Sequence, residues 1–219
     1  MATGSRKSAQ PRREDPRVVR SRTLLLEAGR LLFLQQGYAG TTMEEIAAAA
    51  GLTKRTIYNI FPDKEALFRQ IVAGVTGFAD EFVRNLREEF PESIPPRQLR
   101  PTLRRVAERL ALAIVRPQVI ELRRLLIGEA HRFPALAAEY LDRAPGQVLE
   151  LLASRFGVLS KARLLRVPDP RMAAGQFAYL IVGEALDRAV LLGTAPSEAQ
   201  LITASREAVT TFLARYGPA

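Results

Sequence analysis

The chain has 219 residues, 47% of them hydrophobic, with a formal net charge of +9 and a mean hydropathy of −0.02. This size suits one compact body, or a small module joined to a larger one. It contains no cysteine, which excludes disulfides and thiolate metal sites and is compatible with a reducing cytoplasm. We expect a cytoplasmic protein, because the N-terminus lacks the apolar core of a signal peptide. The longest apolar stretch, residues 177–192, also makes a poor membrane span, since it contains Glu184, Asp187 and Arg188.

The first predicted element is a flexible basic arm over residues 1–16. The first 22 residues carry seven basic and two acidic side chains, which is more than half of the net charge. An arm rich in arginine can follow a phosphate backbone or enter a minor groove of DNA. The alternative is a solubilising tail. The chain has 28 arginines and only four lysines, a bias that genomic base composition can also produce.

A long helix is predicted from residue 16 to about residue 36. Asp15 followed by Pro16 is an N-cap with proline at the first helical position, and Gly37 is a stop signal. Two short helices joined by a tight turn should follow.

The first short helix should begin at Met43, since Thr42 and Glu45 have the spacing of a capping box. Gly51 supplies the permissive backbone that a sharp helix exit needs. Thr53 is a good N-cap for the second short helix, which should run over residues 54–60.

Apolar and polar side chains of the second short helix separate onto two faces. Ile57 and Phe61 lie four residues apart and can anchor the helix inwards. The side chains expected to face outwards are Lys54, Arg55, Tyr58 and Asn59. A short cationic helix presented in this way is typical of proteins that place one helix in the major groove of DNA.

Helices are predicted through most of the remaining chain, with no convincing strand alternation and no internal repeat. Asp63 and Asp169 are further N-caps, and Pro145 should kink or split the helix that contains it. The predicted spans are 64–89, 99–115, 117–131, 134–156, 170–192 and 196–215. The predicted fold class is therefore all-α, with about nine helices.

The helix predicted over residues 170–192 is apolar around nearly its whole circumference, which indicates burial on all sides. One side can face its own subunit and another side a second subunit, because its small side chains allow close helix contact. This helix and an apolar stripe on the last helix, taken from each of two subunits, would form a four-helix interface about a two-fold axis. The predicted dimer residues are Ala174, Ala178, Ile181, Ala185, Ala189, Leu201, Ala208 and Phe212. The alternative is a core helix in a monomer.

One ordered set of residues matches a known family pattern. The set is Leu25-Leu26-Glu27-Ala28, Leu32-Phe33, Gly37-Tyr38, Thr41-Thr42, Ile46-Ala47, Ala50-Gly51, Ile57-Tyr58, Phe61-Pro62 and Lys64-Glu65-Ala66-Leu67-Phe68. It resembles the helix-turn-helix of the TetR family of bacterial transcriptional repressors. The resemblance implies a DNA-binding domain over residues 17–63 and a larger C-terminal domain over residues 64–219, for ligand binding and dimerisation. It also implies a homodimer that binds an imperfectly palindromic operator.

Base contacts are assigned to Lys54 and Arg55, with Asn59 as a third candidate, because Arg can bridge the two acceptors of guanine. Donors at or near helix N-termini are candidate phosphate contacts. These are Thr42, Thr53, Thr56, Tyr58 and Lys64. The alternatives are that Arg55 is a solvated surface charge and that Tyr58 packs against the preceding helix.

The resemblance further implies a small apolar or amphipathic effector inside the larger domain, whose binding shifts the helix over residues 64–89. Residues 129–136 resemble a motif of the AefR-like and AcrR-like branch of the family. The candidate pocket residues are Phe78, Phe82, Leu112, His131, Phe133, Tyr140 and Phe177. Core packing is the alternative role for each of them. His131 is the only histidine, which argues against a histidine-based metal site, and we expect no cofactor.

Rival functions make different demands on the sequence. An enzyme would need a nucleophile with a base, paired carboxylates in a cleft, or a set of metal ligands. No such set is found, so we expect no catalysis. A basic helical protein that coats DNA without sequence preference is a second alternative, and its affinity should collapse steeply with salt. A ligand-independent activator of the same fold is a third, which the sequence does not separate from a repressor.

Overall fold

The computed structural model describes residues 15–218, apart from the side chains of Val75 and Thr76. All regular secondary structure in this part of the chain is helical, which confirms the predicted fold class. The predicted basic arm lies almost entirely outside the described residues. No helix within them combines the length and the apolar character needed to cross a membrane. The chain divides into two compact units, with the division between Phe68 and Arg69 inside a long helix.

The first unit contains three helices and the first turn of a fourth. They are α1 (Pro16–Gly40), α2 (Met43–Ala49), α3 (Lys54–Ile60) and α4 (Lys64–Glu89). The predicted start of α1 is confirmed, because the Asp15 carboxylate accepts a hydrogen bond from the Arg17 N–H at 2.8 Å. The regular part of α1 also ends where predicted. Gly37 has a φ of 73° and a ψ of 169°, a conformation that residues with a Cβ rarely adopt.

A small core of aromatic and aliphatic side chains holds the first unit. The rings of Phe33, Tyr38 and Phe68 pack in pairs with centroids 5.2–5.5 Å apart. Leu67 and Phe68 are completely buried. Because these two residues belong to this core, the compact unit extends through the first turn of α4 to Phe68, beyond the boundary expected at residue 63.

The second unit contains the rest of α4 and six further α-helices. They are α5 (Leu99–Ile114), α6 (Pro117–Glu129), α7 (Pro134–Leu141), α8 (Gln147–Lys161), α9 (Pro170–Asp187) and α10 (Glu198–Tyr216). A π turn at Asp142–Gly146 contains Pro145 and joins α7 to α8, which confirms the predicted break. A second π turn, Arg188–Leu192, continues α9. If α7 and α8 are counted as one interrupted rod, the described residues form the nine predicted helices.

Helix α8 is longer than predicted and ends at Lys161 rather than residue 156. Leu152, Phe156 and Leu159 lie on one face of it and are at most 1% exposed. Because this buried stripe runs on past residue 156, the helix continues with it.

Five aromatic side chains form the centre of the core of the second unit. They are Phe90, Phe156, Phe177, Phe212 and Tyr216, in contacts with ring centroids 4.9–6.0 Å apart. All five ring pairs meet edge to face or tilted, and none is a face-to-face sandwich, which aromatic pairs disfavour. The cluster draws on α8, α9, α10 and the residue after α4, so it ties together segments that are distant in the sequence.

The packing of α9 against α5, α8 and α10 corrects the predicted dimer interface. All eight predicted side chains are at most 8% exposed within the single chain. They are Ala174, Ala178, Ile181, Ala185, Ala189, Leu201, Ala208 and Phe212. Because they face the core of their own subunit, a second subunit has no access to them. The exposed apolar side chains of α9 are instead Met172, Tyr179 and Leu180.

Candidate nucleic-acid interface and ligand cavity

Hydrogen bonds at the helix ends hold the predicted turn between α2 and α3. The Glu45 N–H donates to Thr42 Oγ1 at 3.2 Å, and the Thr42 N–H donates to Glu45 Oε2 at 2.8 Å, which completes the capping box. Gly51 has a φ of 66°, which lets the chain leave α2 sharply. Thr53 caps α3 by accepting a hydrogen bond from the Thr56 N–H at 3.2 Å. The helix-turn-helix predicted from the sequence is therefore confirmed.

The same caps already engage the hydroxyl groups predicted to bind phosphate. The Thr42 hydroxyl donates to Glu45 Oε2 at 2.8 Å, and the hydroxyls of Thr53 and Thr56 lie 2.9 Å apart. A hydroxyl has one proton to donate. Thr42 must therefore leave its carboxylate partner before it can donate to a phosphate, whereas the Thr53–Thr56 pair still has one proton to donate.

Helix α3 has one buried edge and one exposed face, as predicted. Ile57 is fully buried and Phe61 is only 2% exposed, so these two side chains anchor the helix. The exposed face carries Lys54, Arg55, Tyr58 and Asn59. The structure thus brings together two cations, a phenol and an amide, which are groups that bind phosphates and base edges.

Glu44 on α2 is a neighbour of this face that the sequence analysis did not identify. Its carboxylate lies 2.6 Å from Lys54 Nζ and accepts a hydrogen bond from the Tyr58 hydroxyl at 3.4 Å. The hydrogen bond from Lys54 is the main reason why the pKa of Glu44 lies below its usual value, and the same contact raises the pKa of Lys54. No helical period links Glu44 to Lys54. Only the packing of α2 on α3 brings them together.

Arg55 differs from Lys54 in its surroundings. It is exposed, and its side chain forms no ion pair or hydrogen bond with the residues that the structure describes. All five guanidinium donors are therefore available to a ligand, in a fork that matches the O6 and N7 acceptors of guanine. Lys54 must first separate from Glu44. Arg55 is consequently the stronger candidate for a base contact.

Lys64, a predicted phosphate contact, is held within the first unit. Its Nζ donates to the carbonyl oxygens of Tyr38 at 2.7 Å and Thr41 at 2.6 Å, and lies 4.5 Å from the centroid of the Tyr38 ring. These contacts secure the segment that follows Gly37. At least two of the three ammonium donors are used in this way. Lys64 therefore has a structural role in this unit, and its contact with phosphate stays a prediction.

A cavity of about 390 Å³ lies in the second unit, within the size range of small-molecule sites. Its walls come from α4, α5, α6, α7, α8, α9 and the π turn that contains Pro145. Three of the predicted ligand residues line it, namely Phe78, Phe82 and Tyr140. Lining residues that the sequence analysis did not identify include Leu110, Arg116, Arg123, Leu149, Ala178 and Val182.

The other four predicted ligand residues lie elsewhere. Phe177 is completely buried in the aromatic cluster, and Leu112 packs against the same core. Phe133 is buried and His131 is exposed, and neither lines the cavity. Apolar spacing in a sequence marks buried positions, but it does not distinguish a packed core from a cavity wall.

Two family models match the chain. The model of bacterial regulatory proteins of the tetR family matches residues 25–71, which include α2 and α3. The model of the C-terminal domain of AefR-like transcriptional repressors matches residues 101–218, more than half of the chain. The chain belongs to the TetR family of bacterial transcriptional regulators. This is a family of DNA-binding proteins without enzymatic activity.

Solved structures and curated proteins support the same membership. A TetR-family regulator from Mesorhizobium loti MAFF303099 is 29% identical with a TM-score of 0.79, over 93% of this chain and 100% of that one. The flavonoid-responsive regulator FrrA is 29% identical with a TM-score of 0.69, over 91% of this chain and 98% of its own. The regulator TcmR of Streptomyces glaucescens is 31% identical over 64% of this chain and 62% of its own length. The chain spans about a third of the length of other curated regulators that it matches.

The two matched segments of this TetR-family protein divide its candidate sites between them. The N-terminal match contains all the predicted DNA contacts, from Thr42 to Lys64. The C-terminal match contains the cavity residues of α5 to α9. The cavity residues of α4, such as Phe78 and Phe82, lie between the two matches.

Proposed function

We propose that this TetR-family protein is a dimeric repressor that binds a specific DNA operator through α3 and is released by a small amphipathic ligand. The observation that carries the proposal is the exposed face of α3. The side chains of Arg55 and Asn59 form no hydrogen bond there with any described residue. Arginine suits guanine and asparagine suits adenine in the major groove. Lys54 can also contact a base once its ion pair with Glu44 is broken.

Phosphate contacts are proposed around this face. The hydroxyl groups of the Thr53–Thr56 pair lie at the start of α3, and Tyr58 carries a hydroxyl on the exposed face of the same helix. Such hydroxyl groups can donate hydrogen bonds to phosphate oxygens. The N-terminal arm adds basic side chains directly before the DNA-binding unit. We propose that it follows the phosphate backbone, in the cytoplasm where the chromosome lies. Thr42 and Lys64 are weaker candidates for phosphate contacts, because the capping box already binds the exposed Thr42 hydroxyl and two backbone carbonyl oxygens already bind the Lys64 ammonium group.

A dimer is proposed through the face of α9 and α10 that the single chain leaves exposed. Met172 and Leu180 on α9 are 58% and 49% exposed, and small side chains such as Ala204 and Thr211 are exposed on α10. A two-fold axis would pair this surface with itself. Two copies of α3 about 34–36 Å apart would then meet successive major grooves, and the operator should be an imperfect palindrome.

The cavity supports release by a ligand. Helix α4 begins at Lys64, which binds the carbonyls after Gly37, and it contributes Phe78 and Phe82 to the cavity. The related FrrA is described as flavonoid-responsive. We propose that a ligand in the cavity displaces α4 and lowers operator affinity, with a coupling free energy of about 1–3 kcal/mol.

Selection of genomic fragments with the purified full chain tests the proposal, and imperfect palindromes should be enriched. Arg55→Ala should weaken binding to a selected operator by about 1–3 kcal/mol and relax the preference at one base pair, because a bidentate contact is lost. Gel-shift titrations with the selected operator and with a shuffled duplex measure both effects.

Arg97→Ala is the matched control, since it removes an exposed arginine of the second unit and should leave operator binding unchanged. Equal binding to operator and shuffled duplex, with a steep salt dependence, would instead indicate a protein that coats DNA without sequence preference.

A further inference from the structure

The lining of the cavity in the second unit is mostly apolar and includes a few polar side chains. The apolar walls come from α4, α5, α8 and α9 and include Phe82, Leu110, Leu149 and Ala178. The polar lining side chains are Arg116 directly before α6, Gln118 and Arg123 on α6, Tyr140 on α7 and Tyr179 on α9. No aspartate or glutamate occurs among the described residues that line the cavity. The site therefore combines apolar surface with two positive charges that no lining carboxylate balances.

Arg123 is the better placed of the two cations. Its Nε donates to the Tyr140 hydroxyl at 3.1 Å, and its guanidinium carbon lies 5.8 Å from the centroid of the Tyr140 ring. Tyr140 is itself buried, so it gives the guanidinium a fixed support. Within the described part of the chain, Arg123 forms no ion pair with a carboxylate. One of its five donors is used, and its two Nη groups keep theirs.

Two carboxylates on helices that line the cavity are paired with a different arginine. Arg143, in the π turn, lies 3.2 Å from Asp80 and 3.6 Å from Glu139. Asp80 adjoins the cavity residue Ala79 in sequence but does not line the cavity. Within the described residues, no carboxylate forms an ion pair with Arg123, although Asp80 and Glu139 belong to helices that line the cavity.

We propose that the effector of this cavity is an amphipathic organic anion, with a carboxylate bound by Arg123 and an apolar body against Phe82, Leu149 and Ala178. This inference rests on the proposed ligand-binding role of the cavity and names the chemical class of the ligand. An arginine fork binds a carboxylate through two parallel hydrogen bonds. Arg116, directly before α6, adds a second positive charge to the lining. A cationic ligand would meet repulsion, and a neutral one would leave the positive charge of Arg123 without a counterion.

Isothermal titration calorimetry on the full chain at neutral pH tests the proposal with matched acid and amide probes. The pairs are naphthylacetate with naphthylacetamide, phenylbutyrate with phenylbutyramide, and decanoate with decanamide. At least one acid should bind about tenfold or more tightly than its amide, because only the acid forms charge-assisted hydrogen bonds. Arg123→Gln should remove this preference and leave the affinity for the amide unchanged, and amide binding then also shows that the variant keeps its cavity.

Arg124→Gln is the matched control, because Arg124 is an exposed arginine on the same helix that does not line the cavity. It should retain the full preference for the acid. Equal binding of acids and amides, or a preference that survives Arg123→Gln, would overturn the anionic class while leaving the ligand-binding role of the cavity intact. Failure of every probe to bind would overturn both, and operator binding would still be measured separately by gel shift.

Discussion

The recognition helix α3 and the central helix α9 differ in what surrounds them. Helix α3 has seven residues and buries only Ile57, with Phe61 buried just after its end. Helix α9 has 18 residues and buries seven of them against neighbouring helices. Helix α3 is stabilised by its N-cap and by one buried edge, whereas α9 is stabilised by packing against α5, α8 and α10.

This contrast separates the two kinds of effect that a substitution can have. On α3, the side chains proposed to bind DNA contribute little to the core, so replacing them should change binding and leave the fold intact. On α9, most side chains belong to the core, so replacing them should change stability before it changes function. The exceptions on α9 are the exposed residues, such as Leu180.

The largest expected effect is that of Phe177→Ala on α9. Phe177 is completely buried and its ring lies 5.4 Å from Phe156 and 4.9 Å from Phe212. Truncation should lower the free energy of unfolding by about 3–5 kcal/mol, because a large cavity would open in the core. Urea unfolding followed by circular dichroism measures this change.

Phe78→Ala serves as the control for this prediction, since Phe78 lines the ligand cavity and is 52% exposed. It should cost less than about 1 kcal/mol of stability. A Phe177→Ala variant of unchanged stability would contradict the core assignment and return Phe177 to the candidate ligand contacts.

A smaller effect is expected for Leu180→Asp on the exposed face of α9. A charge placed in a buried subunit interface should weaken the dimer by about 2 kcal/mol or more. Sedimentation equilibrium measures the dissociation constant of the dimer. Ile127→Asp, at another exposed apolar position on α6, should leave it unchanged. If Ile127→Asp dissociates the dimer and Leu180→Asp does not, the proposed interface is on the wrong side of the subunit.

Thr42→Ala should lower the stability of the protein by about 1 kcal/mol, because it removes the capping box at the start of α2. Thr42→Ser keeps the hydroxyl and should retain most of the stability. Urea unfolding without DNA detects the loss. If Thr42→Ala weakened only DNA binding and not folding, Thr42 would be a phosphate contact and not a structural cap.

The smallest effect concerns the ion pair between Glu44 and Lys54. Folding lowers the pKa of Glu44, so the contribution of the pair is present above about pH 4.3, the ordinary glutamate value. It is lost as the pH falls through the folded-state pKa. Lys54→Met should raise the pKa of Glu44 towards the ordinary value, measured by NMR titration of the carboxyl carbon. Arg55→Met should leave that pKa unchanged, and an equal response to both substitutions would argue against a specific pair.

Local signals predicted most of the helix starts well. The N-caps at Asp15, Thr53 and Asp169 are all present, because each cap depends on a side chain and a backbone N–H two or three residues away. The inward direction of Ile57 also followed from short-range spacing. Contacts between distant residues were not predictable in this way. Glu44 with Lys54 and Arg123 with Tyr140 are joined only by the packing of one helix on another.

The amino-acid sequence by itself determined the all-helical class, the helix-turn-helix and the outward face of α3, since caps, turns and helical spacing act over a few residues. Only the tertiary structure decided which side of α9 faces the core, where Lys64 directs its ammonium group and which side chains line the cavity. A helix that is apolar around its whole circumference can bury a similar apolar surface in several rotations about its axis. Its orientation is set by how well the large side chains of α8, α9 and α10 fill the space between them.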